Sequence, residues 1–310
     1  MSLPKISVII AVRNMKNSLA HAIQSVLVQH YGNIELLVFD GESTDGTIDV
    51  IKQYADHITY WESSKDKGHC DACNKALEKV TGDLIIMLNA DDELAPDIFN
   101  QVAAVYQQNP NLDVISTGAK VITKNSAGSE TIISEHIDPE KLELTLYNVL
   151  FNAPLINARF FNRTVFQRLG KFKPIWEDGG YYISNDRYFM SHLALNGVSN
   201  HIIPQPYYIY LSHAGSITFS KQHTMRINQE HVWLAQHLLT EPNLTEENHD
   251  IVTKWLAKEL SHRFLLLLLM RHFKPAFIAA KDGINQCGFL WWQQVFLVGW
   301  KGVKHLITKM

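Results

Sequence analysis

The chain has 310 residues, 46% of them hydrophobic and 19% charged, and a formal net charge of −3. That composition can bury a sizeable core in one large domain or two small ones, and the charge gives no global reason to expect a nucleic-acid partner. Three cysteines, Cys70, Cys73 and the distant Cys287, are too few for a disulfide framework and fit a reducing compartment.

The first element is KISVIIAV (5–12), an apolar run rich in β-branched residues that predicts a buried strand rather than a signal peptide. Asn14 suits a helix N-cap. Leu19, Ala22, Ile23, Val26 and Leu27 follow at helical spacing. IELLVF (34–39) predicts a second strand ending at Asp40, GESTDGT a turn, IDVIKQYA a helix and ITYW (58–61) a short strand. Asp71 to Val80 reads as a helix, with Cys73, Ala76, Leu77 and Val80 on one face and Gly82 beyond its end. LIIML (84–88) is a strand that runs into NADDE, and Pro96 fits the first turn of the next helix.

Strand and helix thus alternate through residues 1–110, which predicts a mostly parallel α/β sheet with helices on both faces. Ligands of such sheets bind beyond the carboxyl ends of the strands. Asp40 and the pair Asp91–Asp92 stand at two such ends, and Asp71 opens a helix after a third. Residues 111–222 form a looser second half. DVISTGAKVI and SETIISEHI predict strands of a more antiparallel region, NAPLINARFFNRTVFQRLG a strand and a helix, and YYISNDRYFMSHLALNG a loop and a helix with Met190, Leu193 and Leu195 in its core. From residue 223 to 310 the chain reads as helical.

That last segment is compositionally distinct. From Ser261 to Met310 there are seven Lys or Arg and one acid, Asp282. FLLLLLM, FLWW and VFLVGW lie among them and carry Trp291, Trp292 and Trp300. Basic residues with interleaved aromatics fit a helix pair on an anionic membrane face. An ordinary core helix or a homodimer face is the alternative. No apolar run approaches the roughly 18 residues that span a bilayer.

The ordered stretches FDGESTDGT (39–47), SSKDKGHCDACNKALEKVTGDLIIMLNADD (63–92) and SNDRYF (184–189) resemble glycosyltransferase family 2, over roughly residues 4–220. The resemblance implies an inverting enzyme with the GT-A fold, of the kind that builds bacterial polysaccharides. It implies transfer of a hexose-type sugar from a UDP- or GDP-type donor to a hydroxyl of a glycan or lipid-linked glycan. The helical, basic, Trp-bearing tail, by its composition, would place a cytoplasmic chain at the inner face of the cytoplasmic membrane, where lipid-linked acceptors are found. The diphosphate implies Mn²⁺ or Mg²⁺, which hard oxygen ligands hold. The family's Asp-x-Asp element is here Asn89-Ala90-Asp91-Asp92, so Asp92 and Asp91 are the expected metal ligands, with His213 of SHAGSIT (212–218) a further candidate. Ala11, Val12, Arg13, Asn14, Asp40, Lys67, Gly68, Asp71, Asn89 and Asp91 are the expected nucleotide and donor contacts. Asp186 matches the family's general base, with Asp178 of Trp176-Glu177-Asp178 as its rival; Asp186 also suits an N-cap for a helix over 187–196.

The C-x-x-C spacing of Cys70 and Cys73 invites a zinc or redox reading. The family motif carries an aromatic and a methionine at these two positions, and no second cysteine pair completes a zinc site. Packing cysteines are the expectation. A sugar nucleotidyltransferase is a rival class, but the AVRNMKNS loop lacks the glycines such enzymes use around phosphates. A non-catalytic assembly subunit that keeps the fold is another, opposed by the presence of both Asp92 and Asp186.

Overall fold

A computed structural model describes residues 3–125, 128–173, 182–213, 223–242 and 244–307, with side chains as far as residue 299. The chain divides into two compact units, residues 1–213 and 214–310.

The first unit begins with β1 (Ile6–Val12), α1 (Leu19–Leu27), β2 (Ile34–Asp40), α2 (Thr47–Gln53), β3 (Tyr60–Ser63), α3 (His69–Leu77) and β4 (Leu84–Met87). It continues through β5 (Glu93–Leu94), α4 (Ile98–Gln108), β6 (Val114–Lys124), β7 (Glu130–His136), α5 (Pro139–Leu142) and α6 (Leu146–Phe151). β8 (Arg159–Asn162), α7 (Arg163–Leu169), α8 (Asn185–Leu195) and β9 (Asn200–Leu211) complete it. Among the described residues nine strands share one sheet in the order β3-β2-β1-β4-β8-β6-β9-β5, with β7 paired to β6. The β3-β2-β1-β4 block is parallel. Beyond it the pairing is mixed: β8 runs antiparallel to β4 and β6, whereas β9 runs parallel to β6. One sheet therefore passes through both sequence halves.

Side-chain alternation along β1 explains the layering. Ile6, Val8, Ile10 and Val12 pack with Leu19, Ala22, Ile23 and Val26 of α1 and with Ile98, Phe99 and Val102 of α4. Ile9 and Ala11 face the other way, onto Cys70, Cys73 and Ala76 of α3 and Phe189, Met190 and Leu193 of α8. Every residue of β1 is buried, as a strand covered on both faces requires. Full burial of such aliphatic side chains contributes roughly 1.5–3 kcal/mol each.

Several local expectations are corrected. Asn14 is not an N-cap: α1 starts at Leu19 after Ser18, and Asn14 adopts φ 53° with its backbone N–H bonded to Ser43 Oγ and its side-chain oxygen to the N–H of Thr44. Pro96 lies ahead of α4, whose N-cap position is Asp97 at φ 69°. Asp186 is not an N-cap either, since α8 begins at Asn185 and places Asp186 inside the first turn. Leu195 is half-buried, whereas Met190 and Leu193 are fully covered. The expected elements include no strand at β9, which carries Pro204 and Pro206. The sheet accommodates them with register shifts on either side of Gly118, which faces Pro206 across the pair. Gly118 is needed there: a Cβ would meet the carbonyl oxygen of Gln205 at 2.8 Å.

The second unit contains α9 (Thr224–Leu238), α10 (Glu246–Leu269), α11 (Phe273–Cys287) and α12 (Phe289–Ile307). Its polar core is Glu259, which pairs with His231 at 3.5 Å and accepts from Asn228 Nδ2 at 3.1 Å. Trp291 is completely buried rather than presented to a surface. It packs on Phe264 of α10 and on Gly283 of α11, where a Cβ would lie 2.3 Å from the indole nitrogen. Among the described residues no helix is long and apolar enough to cross a membrane.

Candidate active site

Parallel pairing brings the ends of β1 and β2 side by side, with Val12 opposite Asp40 and the N–H of Gly41 bonded to the carbonyl of Val12. Asp40 is 2% exposed. Its Oδ2 accepts from Ser63 Oγ at 2.6 Å and from the N–H of Ser43 at 3.0 Å. Its Oδ1 is buried and has no hydrogen-bond partner among the described residues. An unbonded buried carboxylate oxygen costs free energy that a bound N–H or O–H donor would recover. Ala11 is buried just before this edge, and Arg13 and Asn14 are exposed just after it.

The loop before α3 is built around two carboxylates. Asp66 Oδ1 accepts from the N–H of Gly68 at 2.8 Å, and Asp71 Oδ2 accepts from the N–H of Lys67 at 3.1 Å. Gly68 adopts φ 105°, a conformation other residues resist. Gly41 lets Asp66 come close, since a Cβ there would lie 2.6 Å from Asp66 Oδ2. Lys67 itself is exposed.

The two aspartates after β4 have different surroundings. Asp92 is 3% exposed, and both of its oxygens are engaged. Oδ2 accepts from Tyr208 Oη and Asn89 Nδ2, each at 2.8 Å, and Oδ1 accepts from the N–H of Leu211 at 2.9 Å. Burial, with the neighbouring charge of Asp91 added, pushes its carboxyl up to about 7 against the pull of these donors. Tyr208 Oη also receives the N–H of Asn89 at 3.2 Å and Asn157 Nδ2 at 3.3 Å, so one hydroxyl ties the acidic turn to the second half of the sheet. Asp91 keeps part of its side chain exposed and meets His213 Nε2 at 2.9 Å. Residues 214–218 of SHAGSIT lie outside the described residues, as do Trp176, Glu177 and Asp178.

Asp186 is half-buried in the first turn of α8, where its Oδ1 accepts from the N–H of Arg187 at 2.7 Å. The guanidinium of Arg187 bonds the carbonyls of Val149 and Leu150 at the end of α6, which fixes this turn against the sheet's second half. Asn185 beside it is 1% exposed, and neither end of its amide is bonded among the described residues.

His69 connects these parts. Its half-buried ring faces Cys73 Sγ at 3.5 Å. Burial lowers its pKa, while Asp91, Asp186 and Asp66 all lie within electrostatic reach and oppose that shift. Tyr210, whose pKa burial pushes up, likewise feels Asp92 and Asp186. The parallel pairing of β2, β1 and β4 sets Asp40 and the Asp91–Asp92 turn at one edge of the sheet, and Asp66 lies against Gly41 beside them.

The cysteines are packing residues. Cys70 is 7% exposed and Cys73 1%. Burial raises both thiols, Cys73 to about 12, so neither is a ready thiolate. Among the described residues no group of three or more His, Cys, Asp and Glu could hold a metal by itself. Sequence reasoning missed His69, Asp66, Tyr208 and Tyr210. The alternating aromatics of YYIY carried a strand signal for the tyrosines, masked by the prolines before them.

The description of glycosyl transferase family 2 matches residues 7–170, more than half of the chain. EpsE of Bacillus subtilis strain 168, which bears a glycosyltransferase name, is 32% identical over 140 residues, 44% of this chain and 50% of that protein. The PGL/p-HBAD biosynthesis glycosyltransferase of Mycobacterium bovis is 31% identical over 119 residues, 37% of this chain and 46% of that protein. The chain thus spans about half the length of the curated relatives it matches. Among solved structures, Staphylococcus aureus TarS 1–349 with UDP-GlcNAc has a TM-score of 0.67 at 18% identity, covering 94% of this chain and 84% of that one. The mannosyltransferase PcManGT of Pyrobaculum calidifontis, with GDP-Man and Mn²⁺, has a TM-score of 0.58 at 16% identity, covering 96% and 88%. At these identities the two structures establish the fold, which is GT-A with a helical C-terminal region. With its ordered motifs on that sheet and the match over residues 7–170, the chain belongs to glycosyl transferase family 2.

Proposed function

We propose that this chain is an inverting glycosyltransferase that moves a hexose-type sugar from a UDP- or GDP-type nucleotide sugar to a hydroxyl of a glycan or lipid-linked glycan. The observation that carries the reading is the buried, unbonded Oδ1 of Asp40 at the carboxyl end of β2, on the same edge of the parallel block as Asp91 and Asp92 after β4. In this reading Asp186, in the first turn of α8, supplies the acceptor-side carboxylate of the same site.

Each group then has a task. Asp40 offers its unbonded Oδ1 to a donor on the base or ribose. Ala11, Arg13 and Asn14 flank that position, and Lys67, Gly68, Asp71 and Asn89 line the donor side. Asp91 and His213 fit a divalent cation, Mn²⁺ or Mg²⁺, because such ions take one or two protein ligands and complete their shell with phosphate and water. When bound, the cation would stabilise the negative charge of the leaving nucleoside diphosphate. Asp92 supports rather than ligates in this scheme, since Tyr208, Asn89 and Leu211 already occupy its oxygens. Asp186 accepts the proton of the acceptor hydroxyl while its oxygen bonds the anomeric carbon from the face opposite the diphosphate. The anomeric carbon–oxygen bond breaks, its electron pair leaves with the diphosphate, and the configuration inverts. TarS with UDP-GlcNAc and PcManGT with GDP-Man support a nucleotide-sugar donor of either base.

Calorimetry tests the reading, with UDP-glucose, UDP-galactose, UDP-N-acetylglucosamine, GDP-mannose and GDP-fucose, with and without Mn²⁺. The expected result is Mn²⁺-dependent binding of one base series, with the metal dependence lost in Asp91→Ala. Folded, Mn²⁺-loaded protein that binds none of them would sink the proposal.

A further inference from the structure

We propose that α11 and α12 seat this chain on an anionic lipid surface. Several of their large apolar side chains face outward, whereas a water-facing helix turns such side chains inward. On α11 the buried positions are Ala276, Ala279 and Gly283. Phe273 and Phe277, 67% and 75% exposed, form with Ile284 a stripe at spacings of four and seven residues. On α12, Trp291 fills the core, while Phe289, Trp292 and Phe296 point outwards at three- and four-residue spacings, two of them about three-quarters exposed. Single exposed apolar residues need no explanation, but aligned rows of large aromatics do.

Charge selects the occupant. Lys274 and Lys281 are exposed beside the α11 stripe, and Arg271 is exposed at the turn before it. Asp282 is the lone acid between Ser261 and Met310. A second copy laid symmetrically on this face would bring lysine rows together with one acid per chain to offset them. An anionic lipid headgroup layer supplies the missing counter-charge along the whole face, and its acyl boundary receives the aromatic rings. In this arrangement the helices lie in the plane of the interface.

The test is co-flotation of the full chain with vesicles of phosphatidylcholine alone or with phosphatidylglycerol, alongside light scattering of the chain without vesicles. The expected result is flotation with the phosphatidylglycerol vesicles, weakened by salt, and a shift of tryptophan emission to shorter wavelength. The double variant Phe277→Ser/Phe296→Ser should lower partitioning at least tenfold with an unchanged melting temperature. Lys274→Gln/Lys281→Gln should lower it several-fold on anionic vesicles alone. Folded chain that stays at the bottom of the gradient overturns the proposal, as does partitioning unaltered in both variants. A dimer in the absence of vesicles that the serine pair dissolves also overturns it, in favour of a second copy. Nucleotide-sugar binding measured on the same samples keeps this outcome separate from that of the transfer reaction.

Discussion

Strand β2 carries a buried carboxylate near each end, and their surroundings differ. Near the start, Glu35 accepts from Ser7 Oγ, the N–H and hydroxyl of Thr81 and the N–H of Gly82, and pairs with Lys5 at 2.7 Å. Burial alone would raise its pKa, but these donors outweigh that and hold it at about 2. At the end, Asp40 has two donors on one oxygen and none on the other among the described residues. Both carboxylates are almost fully covered. The difference lies in saturation: a carboxylate with every oxygen bonded holds the fold, and one with a spare buried oxygen is suited to a ligand. It also follows the direction of the sheet, because the spare oxygen lies at the carboxyl edge where parallel strands present ligand sites.

The largest test of this division is Asp186→Asn. A positioned general base contributes about 10²–10⁴ in rate, so turnover should fall by about 10³ while nucleotide affinity and melting temperature stay put. Single-turnover assays with calorimetry decide it; an equal loss of binding would make Asp186 a donor ligand instead.

Glu35→Ala should do the opposite. It strands Lys5 and the Thr81 and Gly82 amides, with an expected cost of roughly 3 kcal/mol in chemical denaturation and no change in nucleotide affinity. The same carboxylate sets a pH dependence. Its folded pKa, about 2, lies below the 4.5 of a solvent-exposed glutamate. Its stabilisation is therefore complete above pH 4.5 and lost as pH falls towards 2, by up to roughly 3 kcal/mol. Acid titration of the wild type against Glu35→Gln should show the variant with a shallower loss in that window.

Asp40→Asn keeps the shape of the side chain and removes its charge. Nucleotide affinity should fall about tenfold, or roughly 1.4 kcal/mol, with stability nearly unchanged. If Asp40→Asn instead unfolds as readily as Glu35→Ala, the contrast between the two ends of β2 collapses. The smallest expected effect is that of Tyr208→Phe. Loss of its hydroxyl leaves Asp92 Oδ2 with Asn89 alone, costs about 1 kcal/mol of stability and weakens donor binding a few-fold. Equal melting curves for Tyr208→Phe and wild type would show that the Tyr208 hydroxyl is not what holds the acidic turn.

How far the sequence was readable tracks how local each signal was. The strand ends at Asp40 and at Asp91–Asp92 were legible because apolar runs stop there at polar turns. The family motif singles out Asp186 as a candidate base, but its N-cap reading fails because α8 starts at Asn185, two residues before the expected helix. The tail's basic, aromatic character was plain in composition, but the sequence ranked Trp291 with Trp292. Packing separates them, since Gly283 makes room for one indole and leaves the other at the surface.

By itself, then, the amino-acid sequence determined the alternation of strands and helices, the parallel first half, the acidic strand ends and the basic helical tail. These follow from periodicity, turn chemistry and charge, which act over a few residues. Tertiary structure alone decided which acid is saturated and which is free to bind. Asp92 is held by Tyr208 and Leu211, more than a hundred residues away, through a strand whose prolines hid it. Glu35 is held by Thr81, and His69 lies within reach of Asp186. Hydrogen bonds and fields depend on distance in space, and only the folded sheet brings those residues together.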